Sequence, residues 1–286
     1  MLRSERLFRT AALALLGAAA GCAAPVTAPR APATPTLVNA SSVGAYNDGL
    51  YDGFITVGEL RARGGFGLGA ADRNDGELTV LDGVYYCAHG DGTVVALPDD
   101  AAVPLASVTQ FRPDHRLHVK GPLTPAQLQA QLDEWLPGAN RLYALRIHGR
   151  FSRVLAGASA PQSKPYRRFG EVKPEYHMIP REGVIGTLVG FRMPTMHSRY
   201  YHFHLISDDK RVGGHVDDET IDDADIEAEE LHRVEIILPT SPAFVAADFA
   251  SSAPRVAPAP APAPSAVPAP GAAPAPSAAP AAPAPR

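Results

Sequence analysis

Apolar and polar side chains alternate most cleanly over residues 200–206, Tyr-Tyr-His-Phe-His-Leu-Ile. Successive residues of a strand face opposite sides, so Tyr201, Phe203 and Leu205 form a buried face while His202 and His204 project together from the other. Residues 207–214 are rich in turn formers, and a hairpin centred between Asp209 and Lys210 sets His215 opposite His204 on the next strand. Residues 74–88 read as two strands joined at Asp82-Gly83, with Glu77 and Thr79 alternating with Leu78 and Val80. Further strands are expected over 141–151 and 184–193, and a long strand or bent pair over 224–238. The helical period is clearest over 123–136. There Thr124 caps, Pro125 opens the first turn, Gln127 completes a capping box, and Leu128, Leu132, Trp135 and Leu136 form one stripe before Pro137-Gly138. A shorter helix starts at Thr56, with Glu59 as its capping-box partner and not a catalytic acid. The glycine-dense run 64–69 lacks the context of a phosphate loop and reads as tight backbone packing.

The two ends differ from this pattern. Residues 1–21 carry arginines at positions 3, 6 and 9, an apolar run over 11–20 and small residues before Cys22, the layout of a secretory signal. The apolar run is too short for a permanent membrane span. Ala19-Ala20-Gly21-Cys22 resembles a bacterial lipoprotein box, which makes Cys22 the expected lipidation site, with plain secretion as the alternative. Residues 22–40 and 250–286 are dominated by alanine and proline, cannot bury enough apolar surface to fold, and read as a linker and a disordered tail. The expected globular part is therefore 41–249, in an exported protein of the cell envelope. A formal charge of -4 gives no reason to expect nucleic acid. With Cys22 set aside, Cys87 has no disulfide partner and is expected as a small buried residue in its strand.

Candidate chemistry gathers at His202, His204 and His215. A single histidine on a strand is usually a surface or hydrogen-bonded residue, but a pair with a third across a turn favours a metal. Three imidazoles with an open fourth position are the ligand set of catalytic zinc, and two cysteines cannot supply a closed thiolate site. Glu77 is either an exposed charge or the carboxylate such a site needs nearby. The acidic run over 217–230 reads most simply as a solvated face, with Asp217 and Asp218 close enough to His215 to orient it.

With these pieces placed, residues 46–249 resemble the alpha-acetolactate decarboxylase family. The blocks that carry the likeness are Tyr51-Asp52-Gly53 with Gly58-Glu59-Leu60, Gly65 to Gly69, Asp75-Gly76-Glu77-Leu78, Leu81-Asp82-Gly83, and Tyr143 to Ile147. Later blocks are Gln162 with Lys164-Pro165-Tyr166, Gly186 to Phe191, His202-Phe203-His204, and Gly213-Gly214-His215-Val216. The resemblance implies a mixed, sheet-dominated α/β fold with few helices, one half barrel-like and carrying the histidines. It implies zinc on His202, His204 and His215, and Glu77 at the metal as ligand or acid/base. It also implies conversion of 2-acetolactate, a 2-hydroxy-3-oxo acid, to (R)-acetoin and carbon dioxide, and it leaves a homodimer open.

Three positions depart from the family pattern. Gly157 stands where the family has an arginine suited to the substrate carboxylate, leaving Arg153 as the nearest basic stand-in; Ala70 replaces a threonine; and no glutamate follows Glu235. A metal site kept beside altered substrate contacts leaves two rivals to the family reaction. One is an envelope lipoprotein that binds metal or ligand without turnover, and the other a cupin-like metalloenzyme, which also begins its ligand set with His-x-His.

Overall fold

The computed structural model describes residues 34–194 and 200–249. The expected signal, Cys22 and the C-terminal tail lie outside them. In chain order the first half contains β1 (Thr36–Ala40), α1 (Val43–Asn47), β2 (Ile55–Thr56), α2 (Val57–Arg61), β3 (Phe66–Ala70), β4 (Glu77–Leu81), β5 (Val84–Ala88), β6 (Val94–Ala96), β7 (Ala102–Val103) and β8 (Leu105–Thr109). The second half contains β9 (His115–Leu123), α3 (Pro125–Trp135), β10 (Leu142–Ala158), α4 (Phe169–Val172), β11 (His177–Arg192), β12 (Tyr201–Ser207), β13 (Gly213–Leu231), β14 (Arg233–Ile237) and α5 (Pro242–Ala246).

Two sheets result. One has seven strands in the order β14-β1-β8-β3-β4-β5-β6. The other runs β10-β11-β12-β13-β9, and a further β10–β13 pairing closes it on itself. The sheet-dominated fold with a barrel-like half is therefore as expected, and closure gives β10 a partner on each side, β11 and β13, while among the described residues β9 pairs with β13 alone. β1 corrects the linker boundary: Thr36–Ala40 pairs with both β8 and β14, and Leu37 and Ala40 are fully buried. Leucine and valine inside an otherwise Ala/Pro-rich stretch give that strand an apolar face to bury.

The local readings follow their chemistry. Asp82 and Gly83 take φ of 50° and 80°, the left-handed pair that a two-residue hairpin requires, and they join β4 to β5. Thr56–Glu59 and Thr124–Gln127 are complete capping boxes. Leu128, Leu132 and Leu136 of the α3 stripe are buried in the barrel core with Phe151, Phe203 and Leu205. Gly67 shows why the glycine run is needed: a Cβ there would meet the Ser107 carbonyl oxygen at 2.0 Å.

The acidic run divides by the period of β13. Asp223, Asp225 and Glu227 face outward, between Lys120, His118 and Arg116 of β9 and Arg150, His148 and Arg146 of β10. Glu219 and Glu229 are buried, against the expectation of a wholly solvated face.

Candidate metal centre

The site forms where the outer face of the barrel meets the seven-stranded sheet. On β12, Tyr201, Phe203 and Leu205 enter the barrel core, which turns His202 and His204 the other way. The hairpin register pairs His204 directly with His215 of β13. The three ring centroids are 4.9–5.4 Å apart, and one nitrogen from each ring lies within 4.8 Å of the others.

β4 approaches from the opposite sheet. Thr79 Oγ1 donates to the Leu205 carbonyl at 3.2 Å, and the Leu78 carbonyl oxygen lies 2.6 Å from His204 Nδ1. A carbonyl only accepts, so Nδ1 carries a hydrogen, and in the neutral ring Nε2 is the nitrogen that keeps a lone pair. That Nε2 faces Glu77 Oε2 at 3.4 Å. His215 Nε2 lies 3.2 Å from Asp217 Oδ1, so its Nδ1 turns to His202 Nε2 at 3.1 Å. Asp217 is thus the orienting acid, whereas Asp218 is engaged by Arg153.

This donor set fits a metal ion. Two nitrogens bound to one tetrahedral ion at about 2.0–2.1 Å lie roughly 3.3 Å apart, close to the His202–His215 separation. Three imidazoles that converge, one of them facing a carboxylate, bring together groups that can donate electron pairs to one cation. The partners of His204 and His215 are the hydrogen-bonded second layer that metal-binding histidines characteristically have.

A cavity of about 150 Å³ opens beside the histidines. Leu68, Ala70, Leu105 and Phe169 give it apolar walls, and Glu77, Tyr46, Tyr176 and Lys173 bring polar groups to it. Tyr46 donates to Asn74 Oδ1, and Tyr176 donates to the same oxygen at 3.4 Å. Burial raises both phenol pKa values well above the ordinary range, with the Glu77 charge adding to the effect, so both remain O–H donors.

Glu77 is therefore buried at the site and not an exposed charge. Arg153 is not brought to it: its side chain is 53% exposed, pairs with Asp218 at 2.6 Å and does not line the cavity. The bulge between Leu155 and Ala156 accompanies this displacement. Two of the three departures do fall at the centre. Ala70 is the β3 partner of Glu77, and Gly157 is the β10 partner of His215. A Cβ at Gly157 would meet the His177 carbonyl oxygen at 2.1 Å, so this backbone leaves no room for a side chain. Among the described residues that line the cavity, Glu77 is the carboxylate, and no second glutamate joins it. Tyr46, Asn74, Lys173 and Tyr176 were not legible as site residues. They come from α1, from the turn Asp72–Asn74 after β3 and from the turn that follows α4, with no shared period.

These features define a class: a sheet-built protein whose three-histidine centre, able to hold a metal ion, opens on a small and largely apolar cavity. The family model for alpha-acetolactate decarboxylase matches residues 37–251. Alpha-acetolactate decarboxylases of Methanosarcina mazei and Methylococcus capsulatus are 32% and 34% identical over 77% and 75% of this chain, and 78% and 84% of their own. The crystal structure of alpha-acetolactate decarboxylase from Bacillus subtilis strain 168 superposes with a TM-score of 0.73 at 29% identity, covering 75% of this chain and 93% of that one. The chain belongs to the alpha-acetolactate decarboxylase family and is a carboxy-lyase. The cupin-like alternative is thereby set aside.

Proposed function

We propose that this chain decarboxylates 2-acetolactate to (R)-acetoin and carbon dioxide with a zinc ion held by His202, His204 and His215. The observation that carries the reading is the convergence of those three imidazoles on one another, with Glu77 3.4 Å from His204, beside a cavity of about 150 Å³ in a member of this family. Imidazole donors also suit iron, copper and nickel, but three histidines with an open position favour zinc. Bound there, zinc supplies a Lewis acid for the keto and hydroxyl oxygens of the substrate and offsets the negative charge left as carbon dioxide departs.

The chain's own groups do the rest. The Leu78 carbonyl fixes the His204 tautomer, and Asp217 orients His215. Glu77 is placed to hold a proton and deliver it to one face of the carbon that loses carbon dioxide, a role worth about 10²–10⁴ in rate. Leu68, Leu105 and Phe169 limit water at that carbon, and Tyr46 and Tyr176 keep Asn74 fixed behind Glu77.

The test is turnover: zinc-loaded chain with racemic 2-acetolactate, acetoin resolved on a chiral column, and His204→Ala as control. Control-sensitive formation of one enantiomer supports the reading. No acetoin from a chain that holds one zinc would overturn it and leave a binding protein.

We also infer export and lipid anchoring through Cys22, supported by the arginines and apolar run over 1–20 and by the small residues before Cys22. Cys22→Ser should move the chain from the membrane pellet to the soluble envelope fraction, and an unchanged distribution would count against anchoring.

A further inference from the structure

The substrate proposed above is an anion, and a cavity with mostly apolar walls does not favour a carboxylate unless a cation meets it. Among the described residues that line this cavity, Lys173 is the cationic side chain other than the histidines. It follows α4 directly and opens a short turn, Lys173–Glu175, whose next residue is Pro174. Val172, fully buried, and Phe169, packed on Tyr46 at 5.3 Å, anchor that segment to the site.

The Lys173 side chain is 25% exposed, and its Nζ lies 4.3 Å from the centroid of the Tyr176 ring, which restricts its swing. Nζ also lies 3.4 Å from Asp217 Oδ2, while the other oxygen of Asp217 contacts His215. One carboxylate therefore links the ammonium group to a histidine of the metal centre. The other cations of this region are turned elsewhere: Arg153 to Asp218, Arg167 to Glu175, Arg168 to Asp48 and Lys164 to Asp52.

The geometry points to Lys173 as the residue that receives the substrate carboxylate and selects anionic 2-hydroxy acids. The assignment rests on the cavity being the acetolactate site. It also implies a division of kinetic effects. The carboxylate loses its charge as its carbon–carbon bond breaks, so a cation beside it stabilises the bound ground state at least as well as the transition state. Lys173 should accordingly lower KM more than it raises kcat.

Calorimetry on the zinc-loaded chain tests this without turnover, using 2,3-dihydroxy-2-methylbutanoate as the anion and 2-methylbutane-2,3-diol, which has a methyl group in place of the carboxylate, as its neutral counterpart. Lys173→Met should weaken the anion about tenfold or more, as expected for loss of a charged hydrogen bond, and leave the diol within about twofold. Lys173→Arg should recover most of the affinity, and zinc content should be unchanged in both variants. With 2-acetolactate, Lys173→Met should raise KM in the same proportion with kcat changed by less than about threefold.

Equal anion affinity in wild type and Lys173→Met, equal losses for anion and diol, or no anion binding by the wild type would each overturn the assignment. Lys173-dependent anion binding by a chain that forms no acetoin would uphold Lys173 and overturn the decarboxylase reading instead.

Discussion

His204 Nε2 and Glu77 Oε2 stand 3.4 Å apart although one belongs to the closed barrel and the other to the seven-stranded sheet. With His204 Nδ1 donating to Leu78, it is Nε2 that faces the carboxylate, and a proton or a cation shared between the two atoms would bind both. Leu78 and Glu77 are consecutive in β4, so one strand both fixes the imidazole and presents the acid. The position of β4 against β12 therefore governs ligand geometry and proton delivery together.

Removal of His204 should abolish metal binding. The His204→Ala chain is expected to retain less than about a tenth of the wild-type zinc at equal free metal, since loss of one of three protein ligands is more severe than the 10–100-fold cost of losing a second-layer partner. Elemental analysis after gel filtration would check this. Wild-type zinc content in the variant would exclude His204 as a ligand.

Glu77→Gln keeps the shape of the side chain and removes its ability to carry the proton. Turnover should fall by about 10²–10⁴, with substrate-analogue affinity changed by much less. Steady-state kinetics beside calorimetry separates the two quantities. A variant within about threefold of wild-type kcat would assign proton delivery to another group.

Arg153→Ala should do little. Its partner Asp218 is a surface carboxylate, and exposed pairs contribute about 0–1 kcal/mol. Activity is expected within about twofold of wild type and thermal stability within a degree or two. A loss as large as that expected for Lys173→Met would return Arg153 to the site.

The contrast between Arg153 and Lys173 marks what sequence pattern carries and what it does not. Alternation over 200–206 and the turn after it were enough to place His202, His204 and His215 together, because strand period and hairpin register are local properties. Capping boxes and Asp82-Gly83 were legible for the same reason. Lys173 and Tyr176 reach the cavity, and Asn74 meets the Tyr46 and Tyr176 hydroxyls, through packing between segments about a hundred residues apart, as in the Tyr176–Asn74 contact, and no periodicity encodes that. Nearness in sequence favoured Arg153, but the bulged pairing of β10 with β13 directs it to Asp218 and solvent. β1 is hidden in the sequence because its flanking Ala/Pro composition masks a five-residue strand that a parallel partner, β14, completes from the far end of the fold.

Glu219 provides a test of the barrel's electrostatics away from the metal. It lies on β13 between Val216 and Ile221, both buried, and burial first and the neighbouring Asp218 second raise its pKa from 4.5 to about 7. Because the folded pKa exceeds the unfolded one, the folded chain binds a proton that the unfolded chain has released between pH 4.5 and 7. Stability is therefore unaffected by this group below about pH 4.5, declines as pH rises through the window, and carries the full penalty above about pH 7. At about 1.4 kcal/mol per unit the penalty reaches roughly 3 kcal/mol. Glu219→Gln should accordingly raise the melting temperature by several degrees at pH 8 and leave it nearly unchanged at pH 4.5, each measured against wild type in the same buffer. An equal shift at both pH values would mean that the gain comes from packing or hydrogen bonding and not from relief of a buried charge.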